Sequence, residues 1–547
     1  MSSNMGRLIS TDVSEWCKEV SKKGLMKKPN WKVVLTGLLI LLYACSTHKK
    51  TTKSSSNATQ PNIIYILADD LGYGELGAYG QQKIQTPNID ALAKSGMLFT
   101  QHYAGAPVCA PSRYMLMTGK HAGHAHIRGN DEWRERGEVW DFEKAVYDPN
   151  LEGQRPILQS TTTLGEVMQG AGYTTGIVGK WGLGAPLTDG IPTKNGFDFF
   201  YGYNCQRQAH QLYPKHLWKN EEKDWLDNEL ISPGKDNRLA EEADPLDLKN
   251  YQKWEQKDYA PAKMQSEVLQ FIDDNKEQPF FMYYASPLPH LPLQVPHQYV
   301  EKYVKLFGDE TPYDGKKSYF PNRYPNAAYA GMISYLDDQV GEIVAQLKSL
   351  GLYENTLIIF SSDNGPTYLG GVDAEYFDSA KPFSNAYGRT KGFTYEGGIR
   401  VPMIAAWPNR IKENSRSDHI SAFWDVIPTF CELLGVKEPE GLDGLSFLPT
   451  LIGESATTQK QHEFLYWEFP SYQGQQAIRM GKWKGIRANI FKGNMKLALY
   501  NLETDLREER DIAADYPDII AKMEAIMEKE HTPAEIERFK IKQLGDK

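Results

Sequence analysis

The chain has 547 residues, with 61 Lys and Arg against 70 Asp and Glu, for a formal net charge of -9. That length supports a large core and more than one domain, and a charged fraction of 24% is a globular composition. Nothing in this balance marks a nucleic-acid binder, although net charge does not report a local basic groove. Aromatic residues reach 12%, which serves either a core or, at the surface, platforms for sugar rings. The five cysteines, Cys17, Cys45, Cys109, Cys205 and Cys431, show neither the regular spacing of a disulfide framework nor that of a zinc site.

The first readable element is a targeting segment. Two lysines follow Met26, then an apolar run from Val33 to Leu42 that is short for a membrane span. "LYAC" closes the run and resembles a bacterial lipoprotein box, which implies cleavage before Cys45 and a lipid on that cysteine; Tyr43 stands where the box has a small residue. An ordinary secretory signal is the alternative. The segment predicts a periplasmic or cell-surface protein, either anchored at Cys45 or secreted. Residues 1–45 are thus an upstream extension plus signal, and residues 46–60 a polar tether.

From Pro61 the texture is that of a folded domain. "NIIYILADD" is a buried strand ending in two acids. "TPNIDALAKSG" has Thr86 as N-cap, Pro87 in the first turn and Gly96 at the exit. "CAPSRYMLMTG" reads as a short helix: Pro111 suits the first turn and Gly119 the left-handed position after the end. Cys109 then lies at the positive N-terminal end and Arg113 one turn on, on the same face. A nucleophile handling an anion fits there better than an inert thiol. "TTLGEVMQGAG" with "YTTGIVGKW", and "MQSEVLQFIDDN" with "FFMYYASP", are helix–strand pairs. The longest helix carries Ile333, Leu336, Val340, Ile343 and Leu347 at helical spacing and ends by Gly351; "TLIIFSSDNG" and "VPMIAAWP" are further strands. The alternation predicts an α/β fold, a large mostly parallel sheet with helices on both faces, over residues 61–455. Residues 456–547 read as a smaller subdomain with a short antiparallel sheet and a terminal helix. The long charged insertions 131–160 and 204–262 fit neither pattern and serve as functional loops or decoration.

Open α/β sheets bind ligands beyond the C-terminal strand ends. Asp69 and Asp70, Lys180, His290, then Asp363 and Asn364 all stand at such ends, with Lys391 before another strand. Each alone is an ordinary turn or surface residue. Together, two distant acidic pairs can converge on one hard cation, calcium or magnesium rather than zinc. Arg113, Lys180 and Lys391 suit a tetrahedral oxyanion.

At this point the residues resemble a family. Cys109-Ala110-Pro111-Ser112-Arg113 with Met117-Thr118-Gly119 matches the formylglycine sulfatase signature, and "DDLGYGELGAYG", "GKW", "SSDNGP" and "KGFTYEGGIRVP" match its other blocks in order, over residues 61 to about 535. The resemblance implies an alkaline-phosphatase-like fold and sulfate ester hydrolysis. It implies that a maturation enzyme oxidises Cys109 to formylglycine (3-oxoalanine), whose hydrate supplies one hydroxyl to attack sulfur and a second whose deprotonation expels sulfate. Asp69, Asp70, Asp363, Asn364 and the modified Cys109 would bind calcium, with magnesium the alternative. Arg113 would steady the diol, Lys180 and Lys391 the sulfate, and His290 would protonate the leaving oxygen. The family has a histidine two residues after the "GK" lysine; here that position is Gly182, and His210 is a stand-in, a substrate contact or merely the cap of a loop. His126, Arg128 and Asn130, just past the signature, are expected to rim the pocket and meet sugar hydroxyls. The expected substrate is a sulfated glycan, cleaved by exo action at a galactose or N-acetylgalactosamine type residue. A phosphatase or phosphonate monoester hydrolase of the same superfamily, and a non-catalytic glycan binder, are the alternatives.

Overall fold

The structure, a computed structural model, describes residues 60–233, 238–454 and 457–547. The signal, Cys45 and the tether up to residue 59 lie outside the described residues, as do the two residues at the expected boundary, 455 and 456. Gln60 to Lys547 form one contact unit.

Eleven strands make the large sheet. From one edge the order is Ser415–Ser417, Met97–Tyr103, Arg400–Ala406, Thr356–Ser362, Asn62–Ala68, Phe280–Ala285, Thr174–Lys180, Phe199–Tyr203, His216–Lys219 and Glu222–Trp225. Ser421–Ala422 pairs alongside Met97–Tyr103. The centre is parallel, as the helix–strand alternation requires. Arg400–Ala406 is the exception, antiparallel to both its neighbours. The last two strands form an antiparallel hairpin edge inside the 204–262 insertion.

Alternation along Asn62–Ala68 shows how both faces are buried. Ile63, Tyr65 and Leu67 join one core with the Cys109–Thr118 helix, Leu164–Gly170 and Val426–Leu434. Ile64, Ile66 and Ala68 join the other, with Pro87–Lys94, Ala260–Asp274 and the 25-residue helix Pro325–Ser349. A strand apolar at every position must be covered on both sides. Four antiparallel strands, Leu465–Phe469, Gln475–Met480, Trp483–Ala488 and Ala498–Asn501, form the second sheet, followed by the helix Pro517–Glu530. Trp467 of this sheet lies in the first core and its indole N–H donates to the Ala104 carbonyl at 3.0 Å. Among the described residues no helix is long and apolar enough to cross a membrane.

Candidate active site

Register brings the acids together. Asn62–Ala68 and Thr356–Ser362 are parallel neighbours with Ala68 opposite Ser362, so the two acidic pairs leave the sheet side by side. The Asp363 amide donates to the Ala68 carbonyl at 3.0 Å, and the Asp70 amide to Asp363 Oδ1 at 3.1 Å. Asp70 holds φ +67°, a left-handed turn that swings its carboxylate back over the strand ends.

The signature helix, Cys109–Thr118, starts at Cys109 and ends at Gly119 with φ +66°, as its sequence predicts. Its first turn is pinned to the acids. Ser112 Oγ donates to the Asp363 carbonyl at 2.5 Å and accepts from the Gly105 amide at 3.1 Å. Arg113 is wholly buried. Its Nε and Nη2 meet Asp363 Oδ2 at 3.0 and 2.9 Å, and its Nη1 donates to the Lys180 carbonyl at 2.7 Å. Lys180 Nζ reaches Asp69 Oδ2 at 2.6 Å, and Lys391 Nζ reaches Asp70 Oδ2 at 2.6 Å. Cys109 Sγ donates to Asp69 Oδ1 at 3.2 Å and lies 3.9 Å from Asp70 Oδ1. His290 Nε2 is 3.7 Å from Asp70 Oδ2, while its Nδ1–H donates to the Leu291 carbonyl at 2.7 Å. Ligand atoms of Asp69, Asp70, Cys109 and His290 all fall within 4.8 Å of one another.

The electrostatics favour the thiol form of Cys109. Burial and the neighbouring Asp363 and Asp69 push its thiol well above the ordinary range, against Lys180 and Lys391. Burial alone would raise Asp69, but Lys180, His290, Arg113 and Lys391 hold it well below. Asp363 is pushed up to about 7 by burial and by Asp69, against Arg113. Three carboxylates therefore crowd one buried spot. Asn364 donates through Nδ2 to Asp70 Oδ1 at 2.8 Å, and its Oδ1 is buried with no hydrogen-bond donor. The carboxylates of Asp69, Asp70 and Asp363 with this orphaned amide oxygen supply oxygen donors that fit a hard divalent cation.

Most expected groups meet here: Asp69, Asp70, Cys109, Arg113, Lys180, His290, Asp363, Asn364 and Lys391 share one cluster of contacts. Above it opens a recess of ≈ 270 Å³ lined by Asn130, His210, His290, Tyr319, Lys391 and Tyr472, among others. Asn130 Oδ1 accepts from the Ala110 amide at 3.1 Å, beside Cys109. His210 stacks on His290, with ring centroids 5.0 Å apart and planes at 12°. Gly182 has φ +76°, and a Cβ there would lie 2.8 Å from Gln206 Cγ, so the backbone and Gln206 leave no room for a side chain.

Two expected substrate contacts are corrected. Arg128 is buried and turned away from the recess. Its guanidinium pairs with Glu468 and donates to the carbonyls of Ala125, Thr532 and Gly123 and to Thr532 Oγ1. His126 Nδ1 meets Glu535 at 2.9 Å. Both fasten the loop after the signature helix to the C-terminal segment, and neither lines the recess. Arg128→Ala should therefore cost ~3–5 kcal/mol of stability, the usual result of leaving one partner of a buried ion pair behind. Denaturant unfolding measures that loss, while KM for a sulfated monosaccharide should stay unchanged. Sequence reasoning missed Tyr319 and Tyr472, loop aromatics with no periodic or motif signal. Tyr319 stands edge-on to both His210 and His290.

Three cations facing three acids around one helix start suit the transfer of an anionic group, and the class so defined is a hydrolase of anionic esters on an α/β sheet. The family profile "Sulfatase" matches residues 61–436, and a second, "N-sulphoglucosamine sulphohydrolase, C-terminal", matches 388–532. The chain belongs to the sulfatase family and is an enzyme of sulfate ester hydrolysis. It is 28% identical over 543 residues to the N-acetylgalactosamine-6-O-sulfatase of Bacteroides thetaiotaomicron, covering 90% of this chain and 96% of that one. It is 32% identical over 406 residues to the N-acetylgalactosamine-6-sulfatase of Rattus norvegicus, covering 72% of this chain and 66% of the relative. Ps i-CgsB, crystallised in complex with k-i-k-neocarrahexaose, superposes with a TM-score of 0.64 at 26% identity, over 86% of this chain and 92% of that one.

Proposed function

We propose that this enzyme removes sulfate by exo action from a terminal galactose or N-acetylgalactosamine type residue of a sulfated glycan, after maturation of Cys109. The observation that carries the reading is the placing of Lys391 and His290 at once on the acid cluster and on the wall of the recess. A sulfated sugar seated there meets cations with its sulfate and an imidazole with its ester oxygen. Relatives named as N-acetylgalactosamine sulfatases support the sugar class.

Asp69, Asp70, Asp363 and Asn364 would hold calcium, or magnesium, which when bound supplies a positive charge against the sulfate oxygens and the nucleophile. Formylglycine at position 109 supplies, once hydrated, a nucleophilic hydroxyl and a second hydroxyl for sulfate release. The remaining work falls to fixed side chains. Arg113 is held rigid by Asp363 and the Lys180 carbonyl, so it presents positive charge without reorganising. Lys180 and Lys391, which pair with Asp69 and Asp70, would turn to the sulfate oxygens were those acids to hold the cation. The Leu291 carbonyl fixes the His290 proton on Nδ1 and leaves Nε2 facing the site. Burial, with Lys391 and Lys180, holds His290 well below its ordinary pKa. The negative charge of an arriving sulfate opposes those lysines, and His290 takes up on Nε2 a proton from solvent in the recess, which it gives to the departing sugar oxygen. His210 is likewise held toward the neutral form, by burial and by its partner His290. It backs the imidazole and is the group we assign to the gap at Gly182. A lipid on Cys45 would hold the enzyme at the periplasmic face or cell surface.

The test is a screen of position-defined sulfated monosaccharides and disaccharides with matured enzyme, with and without a calcium chelator. Turnover of a 6-sulfated N-acetylgalactosamine or galactose, lost on chelation, is expected. Preference for the matching phosphate monoesters would overturn the reading, as would an unmodified Cys109 in protein from its native host.

A further inference from the structure

The active-site recess does not end at its own walls. A second cleft of ≈ 610 Å³ adjoins it, and Tyr368 lines both. One loop also serves both: Tyr319 faces the recess, while Tyr313, Lys316 and Lys317 line the second cleft. The rim between them is a chain of rings. Phe469 stacks on Tyr472 at 6.0 Å, Tyr472 meets Phe393 at 5.4 Å, Phe393 meets Tyr387 at 6.0 Å, and Tyr387 stands edge-on to Tyr368 at 5.0 Å. Tyr387 is 75% exposed and Tyr472 46%. Tyr472 holds φ +50° and the next residue, Gln473, φ +74°. Side chains with a Cβ rarely take that conformation unless the surroundings impose it. Large rings left in water beside a substrate recess are the surface feature that marks a ligand groove.

The charge of the second cleft selects its occupant. Asp314, Asp373 and Glu375 line it against Lys316 and Lys317, and Lys316 is already paired with Asp314. Carboxylates and ringed surfaces suit sugar hydroxyls and C–H faces, and with one more acid than lysine the lining favours a neutral occupant over an anionic one.

We infer that this cleft is a subsite for the sugar residues next to the desulfated one, stacked on Tyr387 and Tyr368, and that it selects neighbours carrying neither sulfate nor carboxylate. The inference rests on the glycan reading above and sharpens it. The substrate is an oligosaccharide whose terminal residue bears the scissile sulfate and whose next residues are neutral.

The experiment uses matured enzyme and three probes: 6-sulfated N-acetylgalactosamine, a trisaccharide with that residue at its end and neutral neighbours, and the same trisaccharide with a sulfated neighbour. The neutral-neighbour trisaccharide is expected to have the lowest KM, about tenfold below the sulfated-neighbour form. Tyr387→Ala should raise KM for it about three- to tenfold, the usual range for one aromatic contact, with kcat and the monosaccharide constants unchanged. Glu375→Lys should narrow the gap between the two trisaccharides. Preference for the sulfated neighbour, or a Tyr387→Ala effect equal on monosaccharide and trisaccharide, would overturn the inference. Absence of turnover on every probe would fail the glycan reading instead; saturation-transfer NMR with neutral galactotetraose then decides the subsite, by a signal present in wild type and lost in Tyr387→Ala, or absent from both. Concentration-dependent dimerisation abolished by Tyr387→Ala would assign the rings to a second copy of the chain and overturn the sugar subsite.

Discussion

Cys109→Ala should reduce kcat/KM on the best sulfated monosaccharide by about 10⁴-fold or more, the scale seen when a covalent nucleophile is deleted from a preorganised site. The fold should survive. Cys109 is buried at the first position of its helix, and the helix is held by neighbours: Ser112 on the Asp363 carbonyl, Arg113 on Asp363, and the Ala110 amide on Asn130. None of these contacts uses the sulfur. The thiol donates only to carboxylates, at 3.2 Å to Asp69 and 3.9 Å to Asp70. The melting temperature should therefore move by only a few degrees. Kinetics on purified variant and wild type, with circular dichroism as the folding control, check both halves. Residual turnover above about one per cent of wild type would place the nucleophile elsewhere, because the remaining cations and the imidazole have nothing at position 109 to deliver. Cys109→Ser sharpens the result. A serine hydroxyl keeps an oxygen in the same place, yet it carries no second hydroxyl to expel sulfate, so at most one stoichiometric burst is expected.

The parts of this site that were legible in the sequence are those whose position is fixed by strand register. Asp69, Asp70, Asp363 and Asn364 end adjacent parallel strands, so reading the strands places the acids. The signature helix was legible at both ends because Pro111 and Gly119 each satisfy a geometric demand of a helix terminus. The central sheet was legible because its strands carry continuous apolar runs, such as Ile63–Ala68 and Leu357–Phe360. Arg400–Ala406 is just as apolar but runs the other way, because hydrophobic pattern carries no direction. The hairpin His216–Lys219 and Glu222–Trp225 escaped detection because its strands have four residues each, with charged positions in the second. Arg128 was misplaced for a different reason. It follows the signature by a short stretch of chain, but the chain turns, and the arginine meets Glu468 of the C-terminal sheet, 340 residues away in sequence. Proximity along the chain is a poor guide to proximity in space once a helix has ended. Tyr319, Tyr368 and Tyr472 come from three separate loops, and only the folded sheet brings those loops to one rim. The gap at Gly182 shows the reverse case. The sequence shows the missing side chain, but only the structure shows that Gln206 fills the space and that His210 packs on His290.

His290→Gln should separate substrates by their leaving group. A sugar alkoxide is a poor leaving group and needs a proton as the S–O bond breaks, so the variant should lose about 10²–10³-fold in kcat on a sulfated sugar. p-Nitrophenyl sulfate departs as a stabilised phenolate, and for it the loss should stay below about tenfold. A residue that only positions the lysines or the acid cluster would depress both substrates alike, since sulfate binding is common to them. The geometry argues for the first outcome. Nδ1–H is committed to the Leu291 carbonyl, so Nε2 is the only ring atom free to exchange a proton, and it faces Asp70 at 3.7 Å with no closer polar partner. In the free protein, burial and Lys391 keep that nitrogen unprotonated at neutral pH. Sulfate binding must therefore supply the negative charge that lets His290 hold its proton, which ties the acid to the presence of substrate. Lys391→Ala gives the complementary result. It removes a cation from the sulfate and relieves the depression of His290 together, so its damage of about 10²–10³-fold should fall on sugar and aryl sulfates alike. Equal losses for His290→Gln on both substrates would show that the imidazole positions rather than protonates, and the leaving oxygen would then draw its proton from solvent in the recess.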